Sequence, residues 1–245
     1  MFRKIAIALF CLILIAAAAF FTFAPAYVER GLNPVNGPAE GWPVSDEARA
    51  LHERLVIGDW HSDALLWDRD LLKRAAQGHT DIPRLQEDNV AVQVFTTVTK
   101  SPSGLNYGQN SAEAPDNITK LVMGQLRPIR TWSSLKERAL DQAARLNAMA
   151  KRDPEDLRVI LNRRELEEHL AQRETGARTV GGILGTEGGH PLEGDIANLD
   201  TLYGAGFRLM GLTHFFDNEL GGSLHGESGA GLSDFGRQVV AGLME

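Results

Sequence analysis

The stretch Thr179-Val180-Gly181-Gly182-Ile183-Leu184-Gly185-Thr186-Glu187-Gly188-Gly189-His190 decides the fold. Thr179 to Leu184 reads as a short buried strand, and it stops at Gly185-Thr186-Glu187. A carboxylate at a strand end, followed by two glycines, has an unobstructed side chain and close backbone approach. The same grammar recurs elsewhere. Leu55-Val56-Ile57 is an apolar run that stops at Gly58-Asp59-Trp60-His61, and Phe207 to Leu212 ends at Thr213-His214. Val90 to Val98 is a further strand, rich in β-branched residues, and Leu157 to Leu161 is a short one.

Helical patterns lie between these runs. Ser45 with Asp46 and Glu47 is a helix start. Ser133 to Lys151 is strongly helical, Asn162 and Glu165 form a capping pair for a helix to about Glu174, and Asp195 caps a helix through Tyr203. Ser233 starts a last helix. Strands alternating with helices imply right-handed βαβ units around a parallel sheet. No GxGxxG turn follows the first strand, which removes support for a dinucleotide-binding open sheet. Polar residues instead cluster past the carboxyl ends of separate strands: His61 and Asp63, Glu187, His214. That rim carries the chemistry of a (β/α)8 barrel. Such a barrel takes about 250 residues, and only about 200 follow the leader and linker here, so the expectation is an α/β (β/α)8 TIM barrel truncated to about its first half.

The leader is distinct. Arg3 and Lys4 precede an uncharged apolar run from Ile5 to Phe23, long enough to span a bilayer. Basic residues before it favour an amino terminus left in the cytoplasm, with the rest carried across. Ala24-Pro25-Ala26 resembles a signal-peptidase site, but the run is longer than a signal-peptide core and favours an uncleaved anchor. Residues 1–26 are thus a signal peptide or signal-anchor helix, 27–44 a proline- and glycine-bearing linker, and 45–245 the barrel part. The catalytic part is expected outside the cytoplasm, membrane-anchored or secreted after cleavage.

Composition narrows the function. Hydrophobic residues at 43% and charged residues at 23% of 245 are ordinary for a globular chain. A net charge of −7 argues against a nucleic-acid partner. The one cysteine, Cys11, lies in the leader, so any metal ion falls to His, Asp and Glu. His61 and Asp63 stand at i and i+2, a spacing that points both side chains to one side of a strand end. An imidazole nitrogen and a carboxylate oxygen suit zinc or a similar cation. Glu187 can bridge two ions, and an imidazole at His214 can donate to a developing oxyanion. The bland readings are a structural His–Asp pair, a solvated turn glutamate and a satisfied rim histidine. His190 reads as supporting or packing; His52, His79, His169 and His225 read as surface or loop residues. Trp60, Trp67, Phe215 and Phe216 are pocket or core aromatics.

Together the motifs resemble the renal (membrane) dipeptidase family. Asp59-Trp60-His61-Ser62-Asp63 and Gly78-His79-Thr80-Asp81-Ile82-Pro83-Arg84-Leu85 are similar to its opening, and Val92-Gln93-Val94-Phe95 to its second strand. Gly185 to His190 resembles its bridging-glutamate motif, Leu202 to His214 its substrate-histidine strand, and Gly231 to Arg237 the following helix. The resemblance covers most of Ala48 to Glu245, in the family's order. It implies a (β/α)8 barrel that hydrolyses dipeptides with two zinc ions. The first ion would sit on His61, Asp63 and Glu187, and Glu187 would bridge to the second. His214 would bind substrate and join Glu187 as a catalytic residue. The family takes two further histidines, an arginine and an aspartate from later strands, so the resemblance implies an incomplete, inactive piece with an exposed strand edge that favours aggregation or a homodimer. The alternatives are another amidohydrolase on the same barrel, or a non-catalytic binding relic.

Overall fold

The structure, a computed structural model, describes residues 2–38 and 41–244. In chain order its elements begin with helix α1 (Phe2–Leu32), α2 (Asp46–His52), strand β1 (Ile57–Ser62), α3 (Ile82–Glu87) and β2 (Val90–Thr97). They continue with α4 (Asn117–Gly124), α5 (Leu135–Arg152), β3 (Leu157–Val159), α6 (Arg163–Glu174), β4 (Val180–Thr186), α7 (Ala197–Gly204), β5 (Phe207–Met210) and α8 (Asp234–Leu243).

All strand pairs are parallel. β1 pairs β2, β2 pairs β4, and β4 pairs β5, forming an arc of four strands with every carboxyl end at one rim. β3 shares an edge of β4 with β5. Leu157 to Val159 pair with Val180 to Gly182, and Phe207 to Met210 pair with Leu184 to Thr186 further along. β2 is buried along its whole length, as expected of a parallel strand covered on both faces. Phe95, Leu157, Val180 and Leu184 from the sheet meet Ala139, Ala143, Leu146 and Met149 from α5 in one core. These α5 positions recur at helical spacing, so one stripe of the helix is buried.

Caps fix where several helices begin. Ser134 accepts from Glu137 N, Asn162 from Glu165 N, and Ser233 from Gly236 N. Glu165 reaches back to Leu161 N, giving the expected capping pair its reciprocal arm.

Several expectations are corrected. Leu55 and Val56 are exposed and lie before the first strand, which runs instead through Asp59, Trp60 and His61, where β2 supplies its hydrogen bonds. Asp195 accepts from Ala197 N but is not the cap residue of α7, which begins after Ile196. α1 continues through Pro25 to Leu32, into the stretch read as linker. His169 is not a surface residue. It is buried, with Nε2 donating to Ala91 O at 2.8 Å. Desolvation holds its pKa below the ordinary histidine value, with opposition from that bond.

The connection between β2 and α5, which holds α4, is tied down by one side chain. The buried Arg138 guanidinium donates to Thr131 O (2.7 Å), Thr99 O (2.6 Å), Asp116 Oδ2 (2.6 Å), Thr119 Oγ1 (2.7 Å) and Trp132 O (3.0 Å). Asp116 also caps α4 through Ile118 N and Thr119 N.

Candidate metal centre

Three strands deliver the site. The β1–β2 register shifts between Asp59 and Ser62, the stretch that holds Trp60 and His61. Such an irregularity re-aims side chains near a strand end. Asp63 follows immediately, before a 3-10 turn at Ala64–Leu66. Glu187 lies one residue past β4, and its N–H continues the ladder to Thr97 O at 3.2 Å. Gly188 then turns with φ +89°, and a β-carbon there would run into the His190 ring. Only glycine fits.

His61 Nε2 lies 3.2 Å from Glu187 Oε1 and 3.4 Å from Asp63 Oδ1. Ligand atoms of the three residues all fall within 4.8 Å of one another. His214, four residues past β5, brings Nε2 to 3.1 Å from the same Glu187 Oε1. The four residues read from sequence as site candidates therefore converge on one point of the rim. Glu187 is largely enclosed, whereas His61 is about half exposed (54%), so the cluster is approached from the His61 side.

The electrostatics match the donor set. Burial first, then the Glu187 carboxylate, push the Asp63 carboxyl up; the Thr96 hydroxyl and His61 oppose the rise. Two close carboxylates with only imidazoles as neighbours leave excess negative charge, which a divalent cation relieves. One imidazole and two carboxylates form a donor set that such a cation accepts.

Sequence reading missed Thr96, whose hydroxyl donates to Asp63 Oδ1 at 2.5 Å. Its signal was a pair of threonines at the carboxyl end of an otherwise apolar strand. His190 is buried and stacked on Phe216, with ring centroids 4.5 Å apart. Burial, with His214 and Lys100 nearby, lowers its pKa to about 4, so it is neutral. It lines a cavity of about 400 Å³ with Lys100, Glu113 and Asp217, beside the metal-ligand cluster rather than within it. Of the aromatics, Trp67 is core, Phe216 is buried but lines the same cavity as His190, and Trp60 is exposed. Phe215 packs edge-on to His214 and stacks on His225, which is thereby part of the rim. His52 and His79 stay at the surface.

The model of the membrane dipeptidase family, peptidase family M19, matches residues 45–244. A probable dipeptidase, PvdM, from Pseudomonas aeruginosa superposes with a TM-score of 0.57 at 14% identity, over 80% of this chain and 46% of its own. A metallopeptidase from Rhodobacter sphaeroides, solved with a phosphinate mimic of the dipeptide L-Ala-D-Ala, gives 0.56 at 20% identity, over 77% and 55%. The M19 metallopeptidase "dipeptidase AC" gives 0.54 at 22%, over 77% and 53%. The chain thus spans about half the length of these solved structures. With the family model matched along nearly the whole globular part, the chain belongs to the membrane dipeptidase family, peptidase family M19.

Proposed function

We propose that this chain carries the first metal site of a zinc-dependent dipeptidase that cleaves the peptide bond of dipeptides. The observation that carries the reading is the convergence of His61, Asp63 and Glu187 within 4.8 Å at the carboxyl ends of β1 and β4. These residues would hold one zinc ion, and Glu187 would offer its second oxygen to another. A cation bound there supplies Lewis acidity, polarising the peptide carbonyl and making water a nucleophile at neutral pH. His214 would donate a hydrogen bond to the oxygen that gains charge as the carbonyl turns tetrahedral. Glu187 holds that imidazole in place through the 3.1 Å contact. Dipeptides with a D-residue on the carboxyl side fall within the proposed range, in keeping with the L-Ala-D-Ala mimic bound to the Rhodobacter enzyme.

The paired strands β1, β2, β4 and β5 are read as the first arc of an eight-stranded barrel, with β3 sharing an edge of β4. In that reading the second ion's histidines, and the groups that hold the substrate's termini, belong to the remaining arc. The apolar helix α1 would anchor the protein with its catalytic part outside the cytoplasm. Its length and composition suffice to cross a bilayer.

The test is the metal content of the purified chain, together with dipeptide hydrolysis by a chain extended through the remaining strands, with and without chelator. One bound zinc lost from His61→Ala, and hydrolysis abolished by chelator, are expected. Hydrolysis indifferent to chelator would reject the reading, and activity confined to cyclic amides or esters would reassign the substrate.

A further inference from the structure

The helix α1 is not free of the domain it precedes. Glu29, near its carboxyl end, is buried, and its Oε1 lies 2.8 Å from Arg69 Nε. Arg69 also donates to the carbonyls of Gln77 (3.2 Å) and Thr80 (3.4 Å). Just past the helix, Asn33 O accepts from Gly78 N at 3.3 Å, and Pro34 O lies 3.2 Å from His79 Nε2. Lower down, α1 touches α4: a β-carbon added at Gly124 would come within 3.8 Å of Pro25 Cγ. Glu29 Oε1 and Arg69 Nε meet without an aligned hydrogen bond, but the pair, the Asn33 and Pro34 carbonyls and Pro25 together hold α1 at several points along its end. The helix therefore leaves the domain in a set direction.

Pro25 is two residues beyond Phe23, where the apolar run ends. At a rise of about 1.5 Å per residue, Gly124 lies level with the point where α1 would leave hydrocarbon. The chain around Gly124 is unusually apolar for a surface. Met123, Leu126 (64%) and Ile129 (76%) are all exposed. Leu126 also adopts φ +53°, left-handed backbone just past the end of a helix, where glycine is the usual residue. A strained leucine facing outward has no rationale in water.

Resting on the membrane reading of α1, we propose that the segment Met123–Ile129 is a second membrane contact, seated in the phospholipid headgroup layer beside α1. Two attachments, one spanning and one interfacial, fix how the domain stands on the bilayer. α4 lies in the β2–α5 connection, which leaves the sheet at its carboxyl end, so the metal-ligand rim is turned to the membrane side. An apolar patch continuous with a membrane helix is suited to lipid, because the helix delivers it to the interface.

The test uses the full chain with Cys11→Ser, in phosphatidylcholine vesicles, carrying an environment-sensitive fluorophore on Leu126→Cys, Ile129→Cys or, as control, Val56→Cys, exposed just before β1 at the opposite end of the sheet. All three side chains lie outside the core, so labelling leaves the packing intact. The expected result is a blue-shifted emission at 126 and 129 that loses about half its intensity to lipids spin-labelled near the headgroup, with no change at 56. If the chain stays with the vesicles through an alkaline wash but both probes remain as wet as the control, the second contact is wrong and the anchor stands. A chain that washes off rejects both. A shift that follows protein concentration and ignores the spin label would assign the patch to a second copy and overturn the proposal.

Discussion

The Thr96 hydroxyl donates to Asp63 Oδ1 at 2.5 Å and aims the carboxylate of one strand from its neighbour. A carboxylate ligand held this way is set before a metal ion arrives, and loss of such a partner typically weakens metal binding about 10–100-fold. Thr96→Val should show that loss in a competition titration against a chelating dye, and Thr96→Ser should restore most of it. Equal affinity in Thr96→Val would mean that Asp63 is not a ligand or needs no support.

His190 gives a pH signature. Its folded pKa of about 4 is below the ordinary 6.5, so the unfolded chain binds the proton more tightly. Stability from the neutral ring is therefore complete above pH 6.5 and is lost as pH falls towards 4. Between pH 7 and 5 the metal-free protein should lose about 2 kcal/mol through this group. His190→Phe, which preserves the stack on Phe216, should show that much less decline in urea melts at the two pH values. Parallel declines would assign the acid sensitivity elsewhere.

Arg138 and Asp116 offer a test of the β2–α5 connection. Arg138→Met leaves the half-buried Asp116 carboxylate without its cation and three carbonyls without a donor, and breaking such a pair costs up to about 3–5 kcal/mol. Burial alone would raise the Asp116 pKa, but the Ser101 N–H, Arg138 and Thr119 hold it below the ordinary value. Its contribution is present above the ordinary carboxylate range and disappears as pH falls through the lowered value. Asp116→Asn should accordingly flatten the acid limb of the stability curve.

On the proposed barrel reading, activity should depend on strands beyond the five of this chain. With one ion at most, the chain of 245 residues should hydrolyse dipeptides roughly a hundredfold or more slowly than the extended chain. Comparable kcat/KM values for the two would show that the five strands of this chain suffice, or that the site lies elsewhere.

The sequence made most of the rim legible because its signals are local. β2 is rich in β-branched residues, Asn162 and Glu165 sit at capping distance, and a polar residue follows each of three strands. What it hid depends on partners remote in the chain. β1 carries Asp59, Trp60 and His61 with no apolar pattern, and only pairing with β2 makes it a strand. His169 lies on a helix of mostly charged residues, and the carbonyl it meets belongs to Ala91 on another element. Tyr27 onward read as linker, although α1 continues past Pro25, which leaves the carbonyl of Phe21 without a helical donor. Docking against Gly124 and the Glu29–Arg69 pair accompany the helix beyond it.

The direct pairing of β2 with β4 sets the order in which this chain can mature. The two strands meet only after all of α5, β3 and α6 has been synthesised, because β4 supplies the hydrogen bonds along one side of β2. Until then β2, largely apolar, is a nascent strand with an open edge. Non-local parallel pairing is slow, and segments that wait in this way are those that bind chaperones or aggregate. On the proposed topology, an amino-terminal anchor would engage the membrane during that interval, so the centre of the sheet would assemble after the chain is already tethered.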